Sequence, residues 1–120
     1  MRILVVDTNR WYARKVKDTI EKLAPSVFVD MACNIYEAQQ RLENPEEYQL
    51  ILADIRLAAR HEEMAKVLDK SPALKIMWSA VESIAERGNP CRIQKPSSLL
   101  AMKNVLERQI LPAAHSPAQV

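Results

Sequence analysis

The chain has 120 residues, 48% of them hydrophobic and 27% charged, with a formal net charge of +2. That size suits one domain with one core, and so small a charge argues against direct nucleic-acid binding. Gly88 is the only glycine, which sets aside the nucleotide-binding classes whose phosphate-cradling loops need several.

No apolar stretch approaches the roughly 18 residues a membrane span requires. Met1-Arg2 leads straight into Ile3-Leu4-Val5-Val6-Asp7, without the layout of a signal peptide. The expectation is a cytoplasmic protein with no membrane attachment. Cys33 and Cys91 lack metal-ligand spacing and read as small core or strand residues.

Residues 2–6 form a short apolar run that ends in Asp7, a first strand. From 9 to 23 the period becomes helical, with Trp11, Ala13, Val16, Ile20 and Leu23 available for an inner face. Arg10, Arg14, Lys15 and Lys17 make a basic side, either a solvated face or a docking surface for an acidic partner. Val27, Val29 and Met31 then alternate with Ser26, Phe28 and Asp30 as a second strand. Asn34 followed by Glu37 has the form of a helix cap, opening a helix to about residue 43.

Leu50-Ile51-Leu52-Ala53 runs without a break into Asp54. Four consecutive apolar residues suit a strand buried on both faces of a parallel sheet. Such a strand has nowhere to place a carboxylate except its C-terminal end, the edge where open α/β sheets bind ligands. Taken alone, Asp54 serves equally well as a strand terminator or as a cap for the next element.

Residues 60–69 read as a helix with Met64, Val67 and Leu68 inward, and His61 as a surface residue of the connection. A fourth strand, Leu74-Lys75-Ile76-Met77-Trp78, carries Ser79 at its end. Residues 81–87 allow a short fourth helix before Gly88-Asn89-Pro90, and Cys91-Arg92-Ile93-Gln94 is a fifth strand delivering Lys95-Pro96. Ser97-Ser98 starts a last helix with Leu99, Leu100, Met102, Val105, Leu106 and Ile110 at helical spacing. Pro112 is expected to stop it, giving a domain over residues 1–111 and a flexible tail over 112–120.

Strand and helix alternate five times, which indicates an α/β fold with a doubly wound parallel sheet. In the order 2-1-3-4-5 the first and third strands are neighbours, so Asp7 and Asp54 meet, with Ser79 and Lys95 on adjacent strand ends. Two close carboxylates repel unless a cation lies between or beside them, and oxygen donors suit Mg²⁺.

Ile-Leu-Val-Val-Asp at 3–7, Leu-Ile-Leu-Ala-Asp-Ile-Arg-Leu at 50–57, Ile-Met-Trp-Ser-Ala at 76–80 and Gln-Lys-Pro at 94–96 together resemble the receiver domain of two-component response regulators. The likeness runs from residue 2 to about residue 110. It implies a flavodoxin-like (βα)₅ fold and acceptance of a phosphoryl group on Asp54 from a histidine kinase or phosphotransfer protein. No enzyme activity is implied beyond self-catalysed transfer to Asp54. The resemblance also implies Mg²⁺ held by Asp7, Asp54 and the Arg56 backbone carbonyl, Ser79 as the switch hydroxyl, and Lys95 paired with the phosphoryl group. A downstream protein or a second copy of the chain would be the output partner.

Four features depart from that pattern. Thr8 stands where the family has a second acid, a poorer Mg²⁺ ligand, so metal binding is expected to be weak. The connection after Asp54, which includes Leu57-Ala58-Ala59-Arg60-His61, has no Pro-Gly loop. The fourth helix is short, and the aromatic switch position is Arg92. These changes favour, as an alternative, a pseudo-receiver acting as a phosphorylation-independent docking or dimerisation module. A flavin- or small-ligand-binding protein of the same architecture is disfavoured by the shortage of glycine and of hydroxyl-rich loops.

Overall fold

The computed structural model describes residues 1–60, 62–80 and 91–115. Strand β1 (Arg2–Val6) is followed by helix α1 (Arg10–Leu23), β2 (Phe28–Ala32), α2 (Ile35–Arg41) and β3 (Leu50–Asp54). Helices α3 (Ile55–Arg60) and α4 (Glu62–Asp69) precede β4 (Leu74–Ser79), and β5 (Arg92–Gln94) precedes α5 (Leu99–Val105). A single π-helical turn (Leu106–Ile110) joins α5 to α6 (Leu111–His115).

The five strands form one parallel sheet in the order β2-β1-β3-β4-β5. The flavodoxin-like doubly wound topology expected from the sequence is therefore the topology found. Alternation along each strand divides the core in two. Ile3, Val5, Leu50, Leu52, Ile76 and Trp78 point to the side covered by α1 and the C-terminal helices. Leu4, Val6, Ile51 and Ala53 point to the side covered by α2, α3 and α4, where Ala38, Met64 and Leu68 close the layer. Because β1 and β3 are central, both of their faces are buried, which is why their sequences are apolar throughout rather than alternating.

The helix starts agree closely with the sequence. Asn9 caps α1 by accepting from the Tyr12 N–H, and Ser98 caps α5 by accepting from the Ala101 N–H. Asn34 accepts from the Glu37 N–H, while Glu37 Oε1 accepts from the Cys33 N–H at 2.8 Å. The pair satisfies two donors that the start of α2 would otherwise leave open. Cys33 is buried and Cys91 half-buried, both as free thiols.

Four expectations are corrected. Trp11 does not face inward: it is 64% exposed, and Tyr12 turns toward the core instead. Residues 12, 13, 16 and 20 fall on one helical stripe at 3.6 residues per turn, and position 11 lies about 100° off it. Leu99 and Leu100 are 59% and 71% exposed, the inner stripe being Met102, Leu106 and Ile110. The chain after Asp54 is helical from Ile55 onward, earlier than residue 60. Pro112 does not end the last helix, which continues to His115 with Leu111 buried. The proline ring would strike the carbonyl four residues back in a regular helix. The π turn before it widens the spiral, with the Leu111 N–H donating to Leu106 O, and so accommodates the ring. The expected short fourth helix, residues 81–87, His61 and the tail beyond 115 lie outside the described residues.

Candidate functional site

Register determines which residues meet at the C-terminal edge of the sheet. Val6 pairs with Ala53, so Asp7 and Asp54 leave the sheet side by side. Asp54 pairs with Trp78, and Ser79 with Gln94, which places Ser79 and Lys95 on the next two strand ends. The Lys95 N–H donates to Ser79 O at 2.7 Å, fixing the backbone from which the long side chain departs. From β5 back to β3 is two strand spacings, about 10 Å, a span suited to the long flexible stem of lysine.

The Lys95 ammonium lies between the two carboxylates, 2.5 Å from Asp7 Oδ2 and 2.9 Å from Asp54 Oδ2. Its side chain is only 9% exposed, and both acids are more deeply buried still. Repulsion between two buried carboxylates is thus relieved by a cation of the chain itself. Each acid's other oxygen has a local donor. Asp7 Oδ1 accepts from the Asn9 N–H, and Asp54 Oδ1 from the Arg56 N–H, both at 2.9 Å. Arg56 Nε is 3.8 Å from Asp54 Oδ1, so the two acids face two basic groups. Asp54 therefore also caps α3, the bland role its position in the sequence left open.

A cleft of about 570 Å³ opens over this cluster, lined among others by Asp7, Thr8, Asp54, Arg56 and Lys95. Ser79 is buried at the end of β4, and Arg92 is half-buried at the start of β5, paired with Met77. Thr8 is exposed at the rim.

Two residues at this site were not legible as site residues from the sequence. Tyr12 lays its ring under the Lys95 ammonium, 4.7 Å from the centroid, and donates its hydroxyl to Pro96 O at 2.9 Å. Its edge meets Trp78 with centroids 5.8 Å apart at 74°. Burial pushes the Tyr12 phenol well above its ordinary range, and the charges of Asp7 and Asp54 push it further the same way. The other residue is Asn9, which joins the α1 cap to Asp7. The helical stripe through 13, 16 and 20 carries the signal for Tyr12, once Trp11 is removed from it.

The donors present do not fit Mg²⁺ in this arrangement. All four carboxylate oxygens accept from protein donors, and an ammonium lies where a shared cation would sit. Arg56 is the second residue of α3, and a carbonyl in a first turn is directed along the helix axis to the N–H four residues on. Among the described residues no three His, Cys, Asp or Glu side chains gather to hold a metal ion.

No protein-family model matches the sequence, and no curated protein matches it significantly. Solved structures do match. A response regulator from Thermotoga maritima superposes with a TM-score of 0.66 at 22% identity, over 96% of this chain and 98% of the other. A protein described as a putative pilus assembly protein, CpaE, from Burkholderia thailandensis superposes with a TM-score of 0.59 at 15% identity, over 92% and 98%. At these identities the likeness establishes the architecture: this chain has the fold of those proteins across nearly its whole length.

Proposed function

We propose that the protein is a receiver-type signalling module that accepts a phosphoryl group on Asp54 from a histidine kinase or phosphotransfer protein. The observation that carries this reading is the Lys95 ammonium between Asp7 and Asp54 beneath an open cleft. The architecture shared with a response regulator supports it. In the reaction an Asp54 carboxylate oxygen attacks the phosphorus of a phosphohistidine. The P–N bond breaks, and its electron pair stays on an imidazole whose other nitrogen carries a proton. Lys95 and Arg56 are the cations that offset the incoming phosphoryl oxygens. Ser79, at the adjacent strand end, is the hydroxyl proposed to respond, with Arg92 in place of an aromatic partner.

A second reading has its own observation. Each acid already has a structural duty, Asp7 in the Asn9 turn and Asp54 at the start of α3, and their charge is already offset. A docking or dimerisation module would keep this cluster for stability alone. Incubation with phosphoramidate, with and without Mg²⁺, and then intact-mass measurement separates the two. Addition of one phosphoryl group to wild type and none to Asp54→Asn supports the receiver. An unmodified wild type under both conditions supports the docking module.

A further inference from the structure

We propose that Tyr12 is the positioning residue for Lys95, and through it for phosphoryl acceptance at Asp54. The second half rests on the reading of Asp54 given above; the first half does not.

Lys95 comes after β5, an edge strand of three residues, and its ammonium must be held two strands away. Its carboxylate partners pull the ammonium inward but leave its direction of approach open, because point charges attract without regard to angle. Tyr12 supplies the direction. Its ring face sits 4.7 Å from the ammonium, and a ring face attracts a cation most where water is scarce. Its hydroxyl holds the carbonyl of Pro96, the residue after Lys95, at 2.9 Å. The same side chain therefore fixes both the tip of Lys95 and the backbone next to it. Trp78 buttresses the ring edge-on from β4, where it is the register partner of Asp54. Tyr12 itself is set by α1, whose first turn is capped by Asn9, and the Asn9 N–H donates to Asp7. The support thus closes on itself: Asp7, Asn9, Tyr12, Lys95, Asp7.

The test compares Tyr12→Met, which fills similar space without a π face, with Tyr12→Phe, which keeps the ring and loses the hydroxyl. Tyr12→Leu serves where Tyr12→Met does not fold. The first readout is the ¹H–¹⁵N signal of the Lys95 ammonium, visible only while that group is held and slow to exchange. Wild type and Tyr12→Phe are expected to show it, and Tyr12→Met to lose it while backbone amide signals elsewhere stay in place. A Tyr12→Met protein with a wild-type ammonium signal overturns the proposal, as does a Tyr12→Phe protein that has lost it. The second readout is the rate of Asp54 phosphorylation by phosphoramidate. Tyr12→Met is expected to be about tenfold slower at saturating donor, with the donor concentration for half-maximal rate unchanged. Equal rates, or a change confined to half-saturation, overturn the link to phosphoryl acceptance. A wild type that takes no phosphoryl group defeats the reading of Asp54 and with it that link, and the ammonium signal still decides the positioning of Lys95.

Discussion

Lys95 is the residue on which the site's electrostatics turn. Lys95→Met removes the one cation shared by two acids that are almost fully buried. A buried charge stripped of its partner costs far more than the intact pair contributes. The expected loss is about 3–5 kcal/mol of unfolding free energy, measured by denaturant titration. Combining it with Asp7→Asn and Asp54→Asn should recover most of the loss, since no uncompensated charge remains. A triple variant as unstable as Lys95→Met would show that packing, not charge, makes Lys95 matter. Thr8 carries the second residue-scale prediction. It sits exposed at the rim, one residue beyond Asp7, and Thr8→Asp adds the acid that a divalent cation lacks here. Mg²⁺ titration monitored by thermal unfolding should show stabilisation of Thr8→Asp that wild type lacks, with the variant less stable than wild type in chelator. Equal Mg²⁺ responses in the two proteins would contradict this reading of the donor set.

At the scale of elements, some of the structure could be read from the sequence and some could not. The strands were legible because a two-face-buried strand must be apolar along its whole length, as Leu50 to Ala53 are. The cap at Asn34 was legible because its chemistry is local. The start of α3 was not, because the signal for it is Asp54 acting as a cap, and that same residue has a claim to chemistry. Helix faces failed at their ends. Trp11, Leu99 and Leu100 are apolar residues in first turns, where a one-residue error rotates the side chain out of the core. Pro112 misled for a different reason: the π turn that accommodates it has no sequence marker of its own. Pro112→Ala should therefore stabilise the protein by about 1 kcal/mol. That is less than the roughly 3 kcal/mol separating proline from alanine in an ordinary helix interior, because the widened turn already relieves the collision. Chemical unfolding checks it, and destabilisation by a similar amount would contradict it.

Across the whole molecule, two tyrosines far apart in sequence tie the sheet to its surroundings. Tyr48 donates to Asp30 at 2.8 Å, and Asp30 also accepts from Arg2, a second anchor remote from the cleft. Burial raises the Tyr48 phenol well above its ordinary value of 10.0, and the hydrogen bond to Asp30 raises it further. Because the folded value is raised, the contribution is complete below about pH 10 and is lost as pH climbs from there toward the folded value. Stability should fall at up to about 1.4 kcal/mol per pH unit for each such phenol, and Tyr48→Phe should remove one phenol's share of that slope. An unchanged alkaline slope in Tyr48→Phe would place the loss elsewhere.

The topology and the meeting of Asp7 with Asp54 were legible because strand order comes from the βα alternation and both acids end apolar runs. The ammonium between them and the ring beneath it depend on side-chain reach across 84 residues of sequence between Tyr12 and Pro96, which no local pattern records. The acid at the end of β3 is the centre of the proposed chemistry, and it can be located directly. Treating the phosphodonor-incubated protein with borohydride converts an acyl phosphate to an alcohol, and peptide mapping then finds the reduced residue. Homoserine is expected at position 54 and at no other acid. A reduced residue at Asp7, or none anywhere in protein incubated with donor, would contradict phosphoryl acceptance by Asp54.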